Sequence, residues 1–356
     1  MSESPTPPTH HHPEPSAPPN ALPEMPRPVH IDLHEAAPPA DPTPNADIDF
    51  TPPPTESAAP TPAEPDAAQP AAEPLPKPDR PRVIAMMNQK GGVGKTTTTV
   101  SVGAALAEGG HSVLLIDLDP QAHLTLSLGF DPAEMTAAGD KTVYHLLADE
   151  NVAAMEVVRQ AAGYDNLAVL PAETNLAGVE SELADLVRTG LAQSILRNKC
   201  RDLFSQFDTI LIDCPPSLGL LTINALTAAT EIIVPMQAHF LPLQGMGQLF
   251  ETVRMVRMGI NPQLQVSGVV LCMHEANTIL AADVIRDVEG FFEAARGSDA
   301  PWAQAVLYQP PIRRNIKLAE APRCGTPVHR YAPDSNGAAD YRQLAASIAQ
   351  HTSASA

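Results

Sequence analysis

Cysteine is scarce in this chain. Cys200, Cys214, Cys272 and Cys324 are scattered and form no C-x-x-C pair. That spacing argues against a zinc ribbon or a disulfide framework and fits a reducing compartment. No uninterrupted apolar run reaches the ~18 residues of a membrane span. The first residues also lack the basic-then-apolar layout of a secretion signal. The expectation is a cytoplasmic protein. Basic residues are few as well, 22 Lys and Arg against 41 Asp and Glu, for a net charge of −19. In so acidic a chain, contact with nucleic-acid phosphates needs a local basic focus. We see no internal repeat.

Proline is in excess, and it is unevenly placed. Of the 39 prolines, 25 fall at or before Pro81. There they mix with Ala, Thr, Asp and Glu and show no sustained apolar periodicity. Such a segment cannot bury enough apolar surface to offset its ordering entropy. Residues 1–81 are therefore expected to be a disordered, Pro-rich acidic tail, with about ten more acids than bases. Val29–Ala36 alternates apolar and polar residues, so it reads either as a docking motif for a partner or as plain spacer. His10–His12 is too short a run to assign.

From Arg82 the chain alternates short apolar runs with helical stretches. Candidate strands are Val83–Met87, Val113–Asp117, Leu167–Leu170, Thr209–Asp213, Glu231–Pro235 and Val266–Met273. Candidate helices are Thr96–Glu108, Leu176–Val187, Leu191–Phe204, Leu220–Ala228, Leu243–Met258 and Ile279–Ala295. Strands that are apolar without alternation belong to a parallel sheet covered on both faces. The expected fold is one α/β domain over residues 82–350, doubly wound around a mostly parallel sheet, with 351–356 as a flexible C-terminus. Tyr341, Leu344, Ala345 and Ile348 recur at helical spacing and read as a core-facing stripe. With only Arg342 as a base there, the segment is a poor membrane-surface helix.

The run after the first strand, Lys90–Thr97, reads K-G-G-V-G-K-T-T. Glycines let the backbone wrap closely and turn its N–H groups inward, and the following helix adds its N-terminus to an anion site. Lys95 is placed to reach β- and γ-phosphates, and the Thr96 hydroxyl to ligate Mg²⁺. Gln89 stands where the strict phosphate-loop pattern has glycine, so the loop is a deviant Walker A. Two further apolar runs end in carboxylates, V-L-L-I-D-L-D-P-Q at Val113–Gln121 and T-I-L-I-D-C-P-P-S at Thr209–Ser217. Acids at strand C-termini face the crevice where open α/β sheets bind ligands. Each taken singly also fits a helix cap or a solvated turn. Cys214, beside Asp213, reads as a small buried hydrophobe.

N-Q-K-G-G-V-G-K-T-T-T with Lys90 at the signature position, D-x-D-P-Q, S-L-G-L-L-T-I-N-A-L (Ser217–Leu226), V-P-M-Q (Val234–Gln237) and N-I-K-L-A-E-A-P (Asn315–Pro322) together resemble the deviant Walker ATPases of the ParA/Soj/MinD group. The similarity runs from about Arg82 to Gln350. It implies a P-loop NTPase that uses ATP and Mg²⁺, forms an ATP-dependent sandwich homodimer and hydrolyses slowly until a partner acts. By the same resemblance, Lys90 reaches the phosphates held by the partner subunit and Asp119 positions the attacking water. Thr96, Asp117 and Asp213 lie about the metal. Lys90, Gly91, Gly92, Val93, Gly94, Lys95, Thr96 and Thr97 cradle the phosphates, while Met273, Arg314 and Asn315 flank the base.

ParA-like members bind DNA without sequence preference; MinD-like members bind membranes through a C-terminal amphipathic helix. The expectation here is non-specific DNA and a nucleoid location, with no membrane. A basic stretch supplies Arg313, Lys317 and Arg323 as DNA-contact candidates, with Arg314 and Arg330 beside them. It also reads as a solvated face with local ion pairs. Two departures weigh against DNA. Soj-type relatives read M-x-D-A-R-T where this chain has M-H-E-A-N-T, so Asn277 replaces an arginine and Glu275 an aspartate. Arg313 stands where relatives have proline.

Three function classes follow. One is partitioning of chromosomes or plasmids with a ParB-like activator. A second is positioning of a protein cargo with weak or no DNA binding. The third is a non-positioning enzyme. A nitrogenase-reductase-like relative would need cluster-ligating cysteines, and a cobyrinate-synthase-like one is expected to carry an extension for which the chain has no length.

Overall fold

The computed structural model describes residues 74–237, 242–275 and 278–351. Eight strands form one sheet: β1 (Arg82–Met86), β2 (Val113–Asp117), β3 (Arg159–Gln160), β4 (Leu167–Leu170), β5 (Thr209–Asp213), β6 (Glu231–Gln237), β7 (Gln265–Cys272) and β8 (Val306–Leu307). Their spatial order is β3-β4-β2-β5-β1-β6-β7-β8. Neighbours pair in parallel except at the β3–β4 edge.

The sheet is covered on both sides because the middles of its central strands are apolar without alternation, the polar residues falling mostly at the strand ends. Alternate residues of a strand point to opposite faces. Val83, Ala85, Leu114, Ile116, Ile210 and Ile212 join one core. Ile84, Met86, Val113, Leu115 and Leu211 join the other, with helix α1 (Lys95–Glu108) and the C-terminal helix Asn336–Gln350. The predicted stripe of Tyr341, Leu344, Ala345 and Ile348 is buried there. The doubly wound, mostly parallel α/β fold expected from the sequence is the one observed. Among the described residues no helix is long and apolar enough to cross a membrane.

All six expected strands form, within a few residues of their expected ends. β3 and β8 were not anticipated; each is two residues long, too short for a periodicity. The expected helices at 176–187 and 191–204 are broken. Leu183 leaves helical geometry at φ −91°, ψ 12° inside the first, and Ala192–Ser194 is a tighter turn at the start of the second, while Gly190, left-handed at φ 75°, lies in the gap expected between them. What remains is Val179–Glu182, Ala184–Arg188 and Ile195–Phe204, with tighter turns before them. Helix α2 (His123–Ser127) was also missed. It starts at Ala122, whose φ is 53°.

Pro74–Pro81, placed in the tail by composition, already contacts the domain. Leu75 donates its N–H to the Gly109 carbonyl (3.0 Å). Lys77 pairs with Asp208 at 2.8 Å. Both contacts lie at the N-terminal ends of the strands, the pole opposite the phosphate loop. The expectations for residues 1–73, including Val29–Ala36, and for 352–356 lie outside the described residues. Also at this pole, the Arg82 guanidinium donates two 2.8 Å bonds to buried Glu231 and one of 2.6 Å to the Ile348 carbonyl. That bidentate pair ties β1, β6 and the C-terminal helix together.

His329 is fully buried, and neither ring nitrogen has a hydrogen-bond partner. Burial, with a smaller push from the Arg342 charge, lowers its pKa from 6.5 to about 3. The unfolded chain therefore binds a proton that the folded chain refuses. This contribution to stability is complete above the ordinary histidine value and lost as pH falls through it, by about 1.4 kcal/mol per unit. His329→Leu should flatten the acid limb. Urea unfolding at pH 7 and pH 5 should show the wild type losing about 2 kcal/mol more than the variant over that interval.

Candidate functional site

The loop between β1 and α1 holds its shape through two left-handed glycines, Gly92 at φ 71° and Gly94 at φ 97°. A Cβ on Gly94 would also come within 3.3 Å of Cys272 at the end of β7. Behind the loop, Thr98 is 3.1 Å from the Tyr341 hydroxyl, which seats α1 on the C-terminal helix. The two lysines have opposite surroundings. Lys95 is buried and donates to the Lys90 carbonyl at 3.3 Å, whereas Lys90 is exposed. Val93 is buried; Gly91 and Gly92 are exposed.

Asp117 and Asp213 are register partners at the C-terminal ends of β2 and β5, and both are completely buried. Thr96 donates its hydroxyl to Asp213 at 2.6 Å. Burial pushes Asp117 up to about 6, against the hydrogen bonds it accepts. Burial also raises Asp213 well above the ordinary carboxylate range, and the neighbouring Asp117 charge adds to the rise. Two such groups are stable as anions only with positive charge beside them. Among the described residues no group of three or more His, Cys, Asp or Glu side chains is placed to hold a metal. One or two carboxylates and a hydroxyl suit Mg²⁺, which keeps waters and shares phosphate oxygens. The residues present therefore fit that ion.

Asp117 also organises its own loop. One oxygen accepts the Asp119 N–H at 3.1 Å; the other accepts the Thr125 N–H at 2.9 Å and its hydroxyl at 2.7 Å. Thr125 Oγ1 in turn accepts the Ala172 N–H at 2.9 Å. Both Asp117 oxygens are thus engaged, while Asp119 is half-buried beside the loop and its side chain accepts the Gln121 N–H at 3.0 Å.

On the other side of the phosphate loop, Met273 follows β7 in the left-handed region at φ 51°. The 273–275 and 312–315 segments run together: the His274 N–H donates to the Ile312 carbonyl at 2.8 Å, and Arg314 pairs with Glu275 at 3.1 Å. Asn315 accepts the Lys317 N–H through its side chain at 2.9 Å. A cleft of about 600 Å³ opens beside Thr96 and Thr97, with Leu126, Phe130, Pro322 and Arg323 among its walls.

The DNA-contact candidates are less available than the sequence implied. Arg313 is clasped by Asp340, to which it donates from its backbone N–H, Nε and Nη2 at 2.6–3.2 Å. Lys317 pairs with Glu320 at 2.8 Å and lies over the Tyr331 ring. Arg323 is exposed on the cleft rim. Asn277 lies outside the described residues.

The profile of a family described as an AAA domain matches residues 81–266. The sporulation initiation inhibitor protein Soj of Bacillus subtilis is 40% identical over 268 residues, covering 75% of this chain and 98% of Soj. The chain belongs to the ParA/Soj family of ATPases. The chromosome partitioning protein ParA of Myxococcus xanthus is 35% identical over 263 residues, covering 74% of this chain and 86% of that protein. Among solved structures, one titled cobyrinic acid a,c-diamide synthase from Mycobacterium smegmatis, with bound ATP analog and magnesium, is similar at a TM-score of 0.62 and 37% identity. It covers 76% of this chain and 94% of that one.

Motif reading found the loop and the acids but not their supports. Thr125, Asn88, Gln237, Cys272 and Tyr341 have ordinary side chains, and only their partners distinguish them. Thr125 carries the clearest consequence. Thr125→Val keeps the shape but removes the donor to Asp117 and the acceptor for the Ala172 N–H. It should cost about 1–3 kcal/mol, read as a shifted denaturation midpoint with an unchanged denaturant slope.

Proposed function

We propose that this protein is an ATP-driven partitioning switch. ATP with Mg²⁺ joins two copies into a sandwich dimer, the dimer holds non-specific DNA on the nucleoid, and a ParB-like partner triggers hydrolysis that releases it. The observation that carries this reading is the contrast between the two loop lysines. Lys95 is buried against its own loop, which supports a role on the phosphates of its own subunit, whereas Lys90 is exposed, which supports a role on those of a second copy. The names of the relatives, Soj and ParA, support the partitioning role.

In this mechanism the Gly91–Gly94 backbone, Lys95 and Thr97 bind the phosphates. Met273, Arg314 and Asn315 flank the base. Thr96 and Asp213 would hold Mg²⁺, with Asp117 fixing the loop beside them, and the ion when bound neutralises phosphate charge. Asp119 orients the attacking water, and Lys90 adds charge stabilisation from the partner subunit. Asp119→Ala should lower hydrolysis by about 100-fold or more while nucleotide affinity stays within about twofold, as for a group used only in the transition state.

A second reading, in which the cargo is a protein cluster and DNA binding is weak or absent, is favoured by the pairing of Arg313 with Asp340 and Lys317 with Glu320. Binding to a non-specific duplex, measured across a salt series with ADP and with a slowly hydrolysed ATP analogue, separates the two. Binding only with the analogue, weakening steeply with salt, is the expected result. Dimerisation with the analogue but no duplex binding at low salt would overturn the DNA role in favour of the protein-cargo reading.

A further inference from the structure

The signature lysine is held from outside its own loop. Asn88 donates its side-chain amide to the Pro235 carbonyl at 2.8 Å and accepts the Lys90 N–H at 3.0 Å. Two residues past Lys90, the Gln237 side chain donates to the Gly92 carbonyl at 2.8 Å. The same Gln237 amide reaches Met273 Sδ at 3.0 Å. Lys90–Gly92 is therefore bracketed by two amide side chains, both seated on the last three residues of β6.

Packing does not do this job. A Cβ placed on Gly91 or Gly92 would meet nothing within 4 Å. The bend depends on the left-handed Gly92 and on those hydrogen bonds. Their geometry also has a direction. In a trans peptide the carbonyl and the next N–H point opposite ways. Pinning the Gly92 carbonyl to Gln237 thus turns the Val93 N–H away from β6. Lys95 donates to the Lys90 carbonyl and keeps two further N–H donors for a phosphate. The Asn88 and Gln237 bonds use no atom of the Lys95 or Thr96 side chains, so they can persist when those side chains take a phosphate and its metal.

We propose that Gln237 is a positioning residue for Lys90: by fixing the Gly92 carbonyl, opposite the Asn88 bracket, it keeps the exposed lysine aimed at a second subunit. This rests on the reading of Lys90 as acting across the dimer. It assigns to the end of β6 a part in the ATP-dependent association, exerted through the Gly92 backbone and not through a side chain that itself holds ATP.

The full-length chain carrying Gln237→Glu, Gln237→Ala, Lys90→Ala or Lys90→Ala with Gln237→Ala tests it. Gln237→Glu keeps the size of the side chain and loses the donor. The readouts are affinity for a fluorescent ATP analogue, analogue-dependent dimerisation by sedimentation, and kcat and KM for hydrolysis. Both Gln237 variants should bind the analogue within about threefold of wild type. Both should lose dimerisation and roughly 10- to 100-fold in kcat, the cost of a group misplaced by about an ångström. The double variant should be no worse than Lys90→Ala alone within about twofold, because the two residues act as one unit. A wild-type kcat and dimer in Gln237→Glu beside a defective Lys90→Ala would overturn this inference alone. So would defects that add in the double variant. A wild-type Lys90→Ala would overturn the trans-lysine reading and the inference with it.

Discussion

Two carboxylates buried side by side are the constraint around which this site is built. Asp117 and Asp213 are brought together by strand register, so neither can move without breaking the sheet. Each resists ionisation because it is out of water, and the Asp117 charge raises the cost for Asp213 further. The surrounding side chains answer that cost. Thr96 donates to one acid; Thr125 and the Asp119 N–H donate to the other. As a result the phosphate loop and the Asp119 loop are bonded to neighbouring strand ends, and a change in charge between them is felt by both.

The phosphate loop is similarly held by distant parts of the chain. Gln237 and Asn88 connect it to β6, Cys272 closes against Gly94, and Tyr341 reaches Thr98 from the C-terminal helix. Asp340, next to Tyr341, clasps Arg313 on the rim formed by the 273–275 and 312–315 segments. The C-terminal helix therefore touches both the phosphate helix and the rim. Rim, loop and helix form one connected body through which events at the surface and at the nucleotide site can be linked.

Charge on that rim is mostly internal. Arg313, Arg314 and Lys317 each have an acidic partner, so the basic stretch presents less free positive charge than its sequence implies. Exposed ion pairs of this kind contribute little to stability and exchange readily with other anions. A DNA phosphate would have to compete with Glu275 and Glu320 for these bases. With Asp340 the competition is harder, because that carboxylate is buried and accepts several bonds from Arg313.

Short-range chemistry was legible from sequence. Apolar runs ending in Asp117 and Asp213, the glycine-rich loop with its two lysines, and the helical stripe at Tyr341 and Leu344 are all local patterns, imposed by backbone sterics and burial. They were sufficient for the fold and the positions of the phosphate loop. The breaks inside the helices expected at 176–187 and 191–204 were not legible, because an interruption such as that at Leu183 is a choice of backbone geometry among competing options. Nor was the pairing of Arg313 with Asp340, or the reach of Gln237 to Gly92 and Met273, since those partners are separated by up to 145 residues. Which amide holds which carbonyl, and which base is already neutralised, depends on crossovers that bring distant strand ends together. Only the tertiary structure decided that.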